Sequence, residues 1–148
     1  MTLDEAARAY LGVPWRHLGR SREGIDCIGL VLLAARDCGL AADDPAPYER
    51  EPSSQRLRAG LAAVLDEVPL ADARAGDVLV FNLGLYAGHL GVRGVHPEYR
   101  VPSVIHAYAP RRRVVEEPLT AIDAGTLTGA FRVRGAGPQR ASALGTRA

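Results

Sequence analysis

A chain of 148 residues, 47% of them hydrophobic, is long enough to bury the core of one domain without metal or disulfide support. Its formal charge of +1 creates no overall field toward nucleic acid or an anionic membrane, and no apolar run reaches spanning length, so neither nucleic-acid binding nor membrane insertion is expected. The opening Met1-Thr2-Leu3-Asp4-Glu5 is acidic where a secretory signal would be basic and apolar, so the expectation is synthesis in the cytoplasm without a signal peptide.

Residues Thr2 to Leu11 place Leu3, Ala6, Ala7, Tyr10 and Leu11 at helical spacing, with Asp4 and Glu5 in the first turn, where the dipole favours acids. Gly, Pro, Arg and Ser break the period from Gly12 to Asp26, which predicts a loop. A second helix is expected from about Cys27 to Cys38, stopping at Gly39. Its apolar residues run nearly all round, which marks it as central and buried, and Asp26 stands at its N-cap. The two cysteines then lie roughly 16 Å apart along the helix axis, too far for a disulfide or a shared metal. No metal or other cofactor is expected.

A polar, Pro-rich stretch from Ala41 to Ser54 leads to a third amphipathic helix, opened by Ser53-Ser54 and running to about Leu65. From Ala75 the pattern changes to short β-prone runs: Val78 to Phe81, His89 to Val95, Val104 to Tyr108, Arg112 to Glu116 and Ala130 to Arg134. Short turns between them favour antiparallel neighbours, and helices followed by strands predict an α+β fold. The expected domain spans 1–134, and 135–148, without an apolar period, reads as a flexible C-terminal tail.

Three residues stand out chemically. A helix N-terminus favours a thiolate, so Cys27 is the candidate nucleophile, with Gly29 leaving space for substrate backbone and the Cys27 N–H available to an oxyanion. In Gly88-His89-Leu90-Gly91-Val92, alternation sends His89 to the face opposite Leu90 and Val92, where Gly91 clears room for a base to approach the thiol. His106, on the Val104–Tyr108 strand, is placed to accept a hydrogen bond from His89 and hold its tautomer. Cys38 reads as a buried apolar cysteine. All 18 Lys-or-Arg positions are arginine; Arg111-Arg112-Arg113 and the loop arginines Arg16, Arg20 and Arg22 are candidate carboxylate contacts, or simply a solvated turn and loop.

Five segments in order, Gly12-Val13-Pro14-Trp15, Gly24-Ile25-Asp26-Cys27-Ile28-Gly29-Leu30-Val31, Ala75-Gly76-Asp77-Val78-Leu79-Val80-Phe81, Gly88-His89-Leu90-Gly91-Val92 and Ile105-His106-Ala107, resemble the NlpC/P60 cysteine peptidases. The Pro14-Trp15-Arg16-His17 segment and the short chain look most like the cell-wall peptidases of phage tails and gene transfer agents. The resemblance implies a papain-like fold, N-terminal helices packed on a C-terminal antiparallel sheet. It further implies hydrolysis of the D-glutamyl-diamino acid bond in peptidoglycan stem peptides, with Cys27 as nucleophile, His89 as base and His106 as the orienting third residue. Trp15 stands where the family commonly has an oxyanion-assisting tyrosine, and is either an indole N–H donor or a packed wall. Asp26 and Arg111 are carried as further oxyanion or substrate contacts, and Ile28 replaces the family's usual serine. Peptidoglycan stem peptides, and tail-tip or hub proteins of a phage-like particle, are the implied partners, with action at the cell wall or periplasm. A catalytically silent tail-tip component, and a cysteine amidase or acyltransferase on another substrate, are the competing readings.

Overall fold

The structure, a computed structural model, is described over residues 1–84 and 87–136. Helix α1 (Leu3–Arg8) is shorter than its periodicity suggests, because Ala9 caps it and the chain turns through Gly12 at φ 87°. The loop that follows contains a two-residue antiparallel hairpin, β1 (Arg20–Ser21) with β2 (Gly24–Ile25). Helix α2 (Cys27–Asp37) stops at Cys38 and Gly39, the latter at φ 79°. Leu30 and Ala34 are fully buried while Ile28, Val31, Leu33 and Ala35 pack half-buried around them, as expected of a central helix.

Helix α3 (Ser54–Ala62) is capped by Ser53 Oγ, which accepts the Arg56 N–H at 3.1 Å. It ends at Ala62 rather than near Leu65, and Leu65–Val68 forms a strand, β3. Then come β4 (Val78–Asn82), β5 (Gly88–Val95), β6 (Pro102–Tyr108), β7 (Arg113–Pro118) and β8 (Leu127–Val133). They make one six-stranded sheet, β3-β8-β4-β5-β6-β7, in which every neighbouring pair is antiparallel. The fold is α+β, helices against an antiparallel sheet.

Both faces of the sheet are buried near β4, which is why Val78-Leu79-Val80-Phe81 is a continuous apolar run rather than an alternation. Val78 and Val80 join Leu30, Ala34, Leu90, Val92 and Ile105 on the helix side. Leu79 and Phe81 meet Val104 and Ala130 on the other. Asp77, 1% exposed, is held at the start of β4 by both arms of Arg132, at 2.9 and 2.8 Å. The tail expected over 135–148 lies, from Gly137 onward, outside the described residues.

Candidate active site

Cys27 is the first residue of α2, and the N-cap Asp26 accepts the Gly29 N–H at 2.8 Å. The sulfur reaches β5, where the Leu90 N–H donates to it. That amide is free to do so because the β5–β6 ladder is registered only from Val92–Ile105 to Val95–Pro102, and Leu90 lies beyond its open end. His89 is the residue before Leu90, so the same opening brings the histidine strand to the head of the helix. Among the described residues the thiol and the His89 ring make no hydrogen bond.

His89 stands opposite Phe81 in the β4–β5 ladder and rests against its ring, with centroids 5.8 Å apart. Its Nε2 is 2.8 Å from His106 Nδ1. His106 Nε2 is 3.1 Å from Glu117 Oε2, and Glu117 Oε1 accepts Arg111 Nε at 2.9 Å. Tyr108 stacks on His106 at 4.6 Å. The tautomers follow from the far end of this chain. The hydrogen bond from His106 is the main cause that holds Glu117 below the usual carboxylate range, and a carboxylate can only accept. A neutral His106 ring then donates from Nε2 and accepts at Nδ1. His89 must then donate from Nε2, which leaves the lone pair on its Nδ1.

Burial, and secondarily His106, push the His89 imidazole well below its ordinary value, so it is neutral at neutral pH. The expectation of a thiol acidified by the helix N-terminus is overturned. Burial pushes Cys27 up to about 12; the Leu90, Ile28 and Cys27 amides pull it down without prevailing, and the Asp26 carboxylate adds to the rise. The resting pair is a neutral thiol and a neutral imidazole.

This arrangement of helix and sheet occurs in known structures. The NlpC/P60 domain of the peptidoglycan hydrolase SagA superposes with a TM-score of 0.62 at 17% identity, over 89% of this chain and 97% of that one. An NlpC/P60 family protein from Bacillus cereus ATCC 10987 gives 0.61 at 21% identity, over 88% of this chain but 39% of that one. The chain has the NlpC/P60 fold. An N-acetylmuramoyl-L-alanine amidase from Bacteroides uniformis ATCC 8492 also superposes, at 0.53 and 13% identity, over 88% of this chain and 97% of that one. No protein-family profile matches the sequence, and no curated protein does.

On this NlpC/P60 fold the remaining expected site residues separate. Asp26 is consumed by the protein: beyond Gly29 it takes the Leu18 N–H at 2.9 Å, the Tyr48 hydroxyl at 2.6 Å and Arg20 at 3.0 Å. With both oxygens occupied, it anchors the loop before α2 and has no acceptor left for substrate. Arg111, expected as a substrate contact, is turned to Glu117 instead. Gly29 does not leave space for substrate either, since a Cβ there would meet Gly19 O at 2.5 Å and Arg20 at 2.9 Å. At Gly91 the space expected for the base is filled from β6, by Val104 and by the His106 Cβ. Trp15 donates its backbone N–H to Arg112 O at 3.0 Å, packs on the main core and lies under the Arg50 guanidinium at 4.7 Å.

Three residues of the site escaped the sequence reading: Glu117, Tyr48 and Arg50. Glu117 was within reach of a register argument, because β7 alternates and the β6–β7 pairing sets Glu117 two places from Val115, the partner of His106. Tyr48 and Arg50 sit in a Pro-rich connector with no period to place them. Among the described residues no group of three or more His, Cys, Asp or Glu side chains is arranged to hold a metal ion.

Proposed function

We propose that this chain is a cysteine hydrolase of the bacterial cell wall that cuts a stem-peptide amide of peptidoglycan, between D-glutamate and a diamino acid, with Cys27 as nucleophile, His89 as base and His106 as the orienting residue. The observation that carries this reading is the hydrogen-bonded chain from Glu117 through His106 to His89, which ends in a free Nδ1 lone pair on the strand whose next amide holds the Cys27 sulfur. Two fold neighbours, a peptidoglycan hydrolase and an N-acetylmuramoyl-L-alanine amidase, support the choice of polymer.

With both groups neutral, the thiol proton passes to His89 Nδ1 as sulfur attacks the amide carbonyl carbon. The Cys27 and Ile28 amides, which already face the sulfur, stabilise the oxyanion. The C–N bond then breaks, His89 returns the proton to the leaving amine, and water, deprotonated by the same nitrogen, releases the acyl group from sulfur. Substrate must draw thiol and imidazole together, as catalytic contacts commonly tighten on binding. Mass spectrometry of digested peptidoglycan tests this: the protein releases fragments with a new diamino-acid N-terminus and Cys27→Ala releases none. Undiminished release by that variant removes Cys27 as nucleophile.

A second reading, a silent structural component of a phage-like tail, draws on the thiol pushed up to about 12 and on its missing bond to His89. It predicts no fragments from the unaltered chain. Carriage by a phage tail or gene transfer agent, beside tail-tip or hub proteins, rests on the Pro14-Trp15-Arg16-His17 segment, and gene neighbourhood tests it.

A further inference from the structure

Arginine is the only strong cation on this protein, and eight of its 18 copies are held in ion pairs among the described residues. Arg8, Arg20, Arg36, Arg56, Arg58, Arg111, Arg132 and Arg134 are in ion pairs. Among the described residues Arg16, Arg50 and Arg112 form no ion pair, and all three line one pocket of about 520 Å³, with Trp15, His17 and Ala109. No acidic residue lines it. The flanking acids are turned elsewhere or unpaired with these arginines among the described residues: Glu49 is bonded to Arg56 at 3.0 Å, Glu116 to Arg8 at 2.9 Å and Glu117 to Arg111 at 2.9 Å, and Glu51 forms no ion pair with Arg50.

The lining of this pocket is tied through the backbone to the segments that carry the site residues. Arg16 N–H donates to Ile25 O at 3.0 Å, which ties one wall to the residues entering Cys27. Ala109 and Arg112, at the two ends of the turn that follows the β6 strand carrying His106, line it as well. Arg112 is held there at φ 63°, ψ 14°, a left-handed backbone in which an arginine is strained by roughly 1 kcal/mol. That backbone would relax with glycine.

We propose that this pocket is the carboxylate subsite of the enzyme, and that it makes the chain select stem peptides with free carboxylates beside the scissile amide over their carboxamide forms. The inference rests on the hydrolase reading for the identity of the peptide, but not for the binding chemistry. Three unneutralised guanidiniums suit planar, paired recognition of carboxylate oxygens, and an amide presents one acceptor and two donors to the same donors. A site built for the acid rejects the amide because the guanidinium N–H groups then face N–H groups.

The pocket carries its own reporter, since Trp15 is the only tryptophan and forms part of the wall. Cys27→Ala protein is titrated, at physiological salt, with an L-alanyl-γ-D-glutamyl-diaminopimelate peptide and with the same peptide amidated at its free carboxyls, reading Trp15 emission. The acid form binds at least 10-fold more tightly than the amide. Arg16→Gln and Arg112→Gln each remove most of that preference, and Arg112→Gly removes it with an unchanged or raised Tm, because glycine suits the backbone there. Equal affinity for acid and amide overturns the proposal, as does an unaltered preference in the arginine variants. Inorganic phosphate that matches the peptide in affinity also overturns it, by making the pocket a general anion site. Digestion of both peptides by the unaltered protein separates the two claims: selective binding without hydrolysis leaves the subsite standing and removes the enzyme, whereas hydrolysis without selectivity does the reverse.

Discussion

A thiol whose pKa burial pushes up to about 12 changes what its base has to do. In the proposed mechanism His89 does not stabilise a standing thiolate; it accepts a proton during attack, and only when unprotonated. Because burial and His106 hold its pKa well below 6.5, kcat/KM should remain level down through about pH 6.5 and fall only in more acid solution. A profile over about pH 5 to 9 with its acid midpoint at or above the ordinary imidazole value would reject this. Glu117 fixes the tautomers from the other end. Glu117→Ala removes a charged acceptor, an effect of about 1.5–3 kcal/mol, so kcat drops roughly 10- to 100-fold while KM, which the histidines do not set, stays close to its starting value. An unchanged kcat would make the carboxylate incidental. The placement of Cys27 at the head of a helix and of His89 and His106 on neighbouring strands was legible because each lies in a short segment whose neighbours are informative. The protonation state of the pair was not, because it depends on burial, and burial is set by residues far away in sequence.

Elements decide where those side chains meet. The head of α2 is built around Asp26, which gathers the Gly29 and Leu18 amides, the Tyr48 hydroxyl and Arg20 into one buried carboxylate, 4% exposed. Asp26→Ala strands an arginine and a hydroxyl as well as the cap, which should cost about 3–5 kcal/mol, read from urea unfolding; a loss below about 1 kcal/mol, the size of a simple cap, would show the network to be idle. Gly91 serves a second junction. Its missing Cβ lets Val104 and His106 close on β5, so Gly91→Ala should overpack the strand pair by about 1–3 kcal/mol and lower activity by displacing His106, whereas Gly60→Ala, with open space around it, should do neither. The helices and most strands were legible from period and turn residues. β3 was not: Leu-Asp-Glu-Val continues the α3 pattern acceptably, and only its pairing with β8, more than sixty residues later, makes it a strand.

At the scale of the molecule, the antiparallel meander from β4 to β7 follows from short turns, but the return of β8 to the far side of β4 is a non-local choice no single segment announces. His89 and His106 are buried, and that burial gives the whole fold a pH dependence whose sign can be worked out. The folded pKa of His89 lies well below 6.5, while the unfolded chain titrates near 6.5, so below that pH the unfolded state binds more protons. The contribution is intact above about pH 6.5 and is lost as pH falls toward the folded pKa, with a limiting slope of about 1.4 kcal/mol per pH unit. Glu117, also lowered, adds a second loss only below its ordinary value of 4.5, so the two windows do not coincide. Unfolding free energies measured in urea between about pH 8 and pH 5 should therefore decline below pH 6.5. His89→Gln, similar in size and unable to titrate, should flatten that decline while leaving the later, carboxylate-driven one. If the variant keeps the full slope between pH 6.5 and pH 5, the buried neutral imidazole is not its source, and the neutral thiol–imidazole pair on which the mechanism depends loses its thermodynamic support.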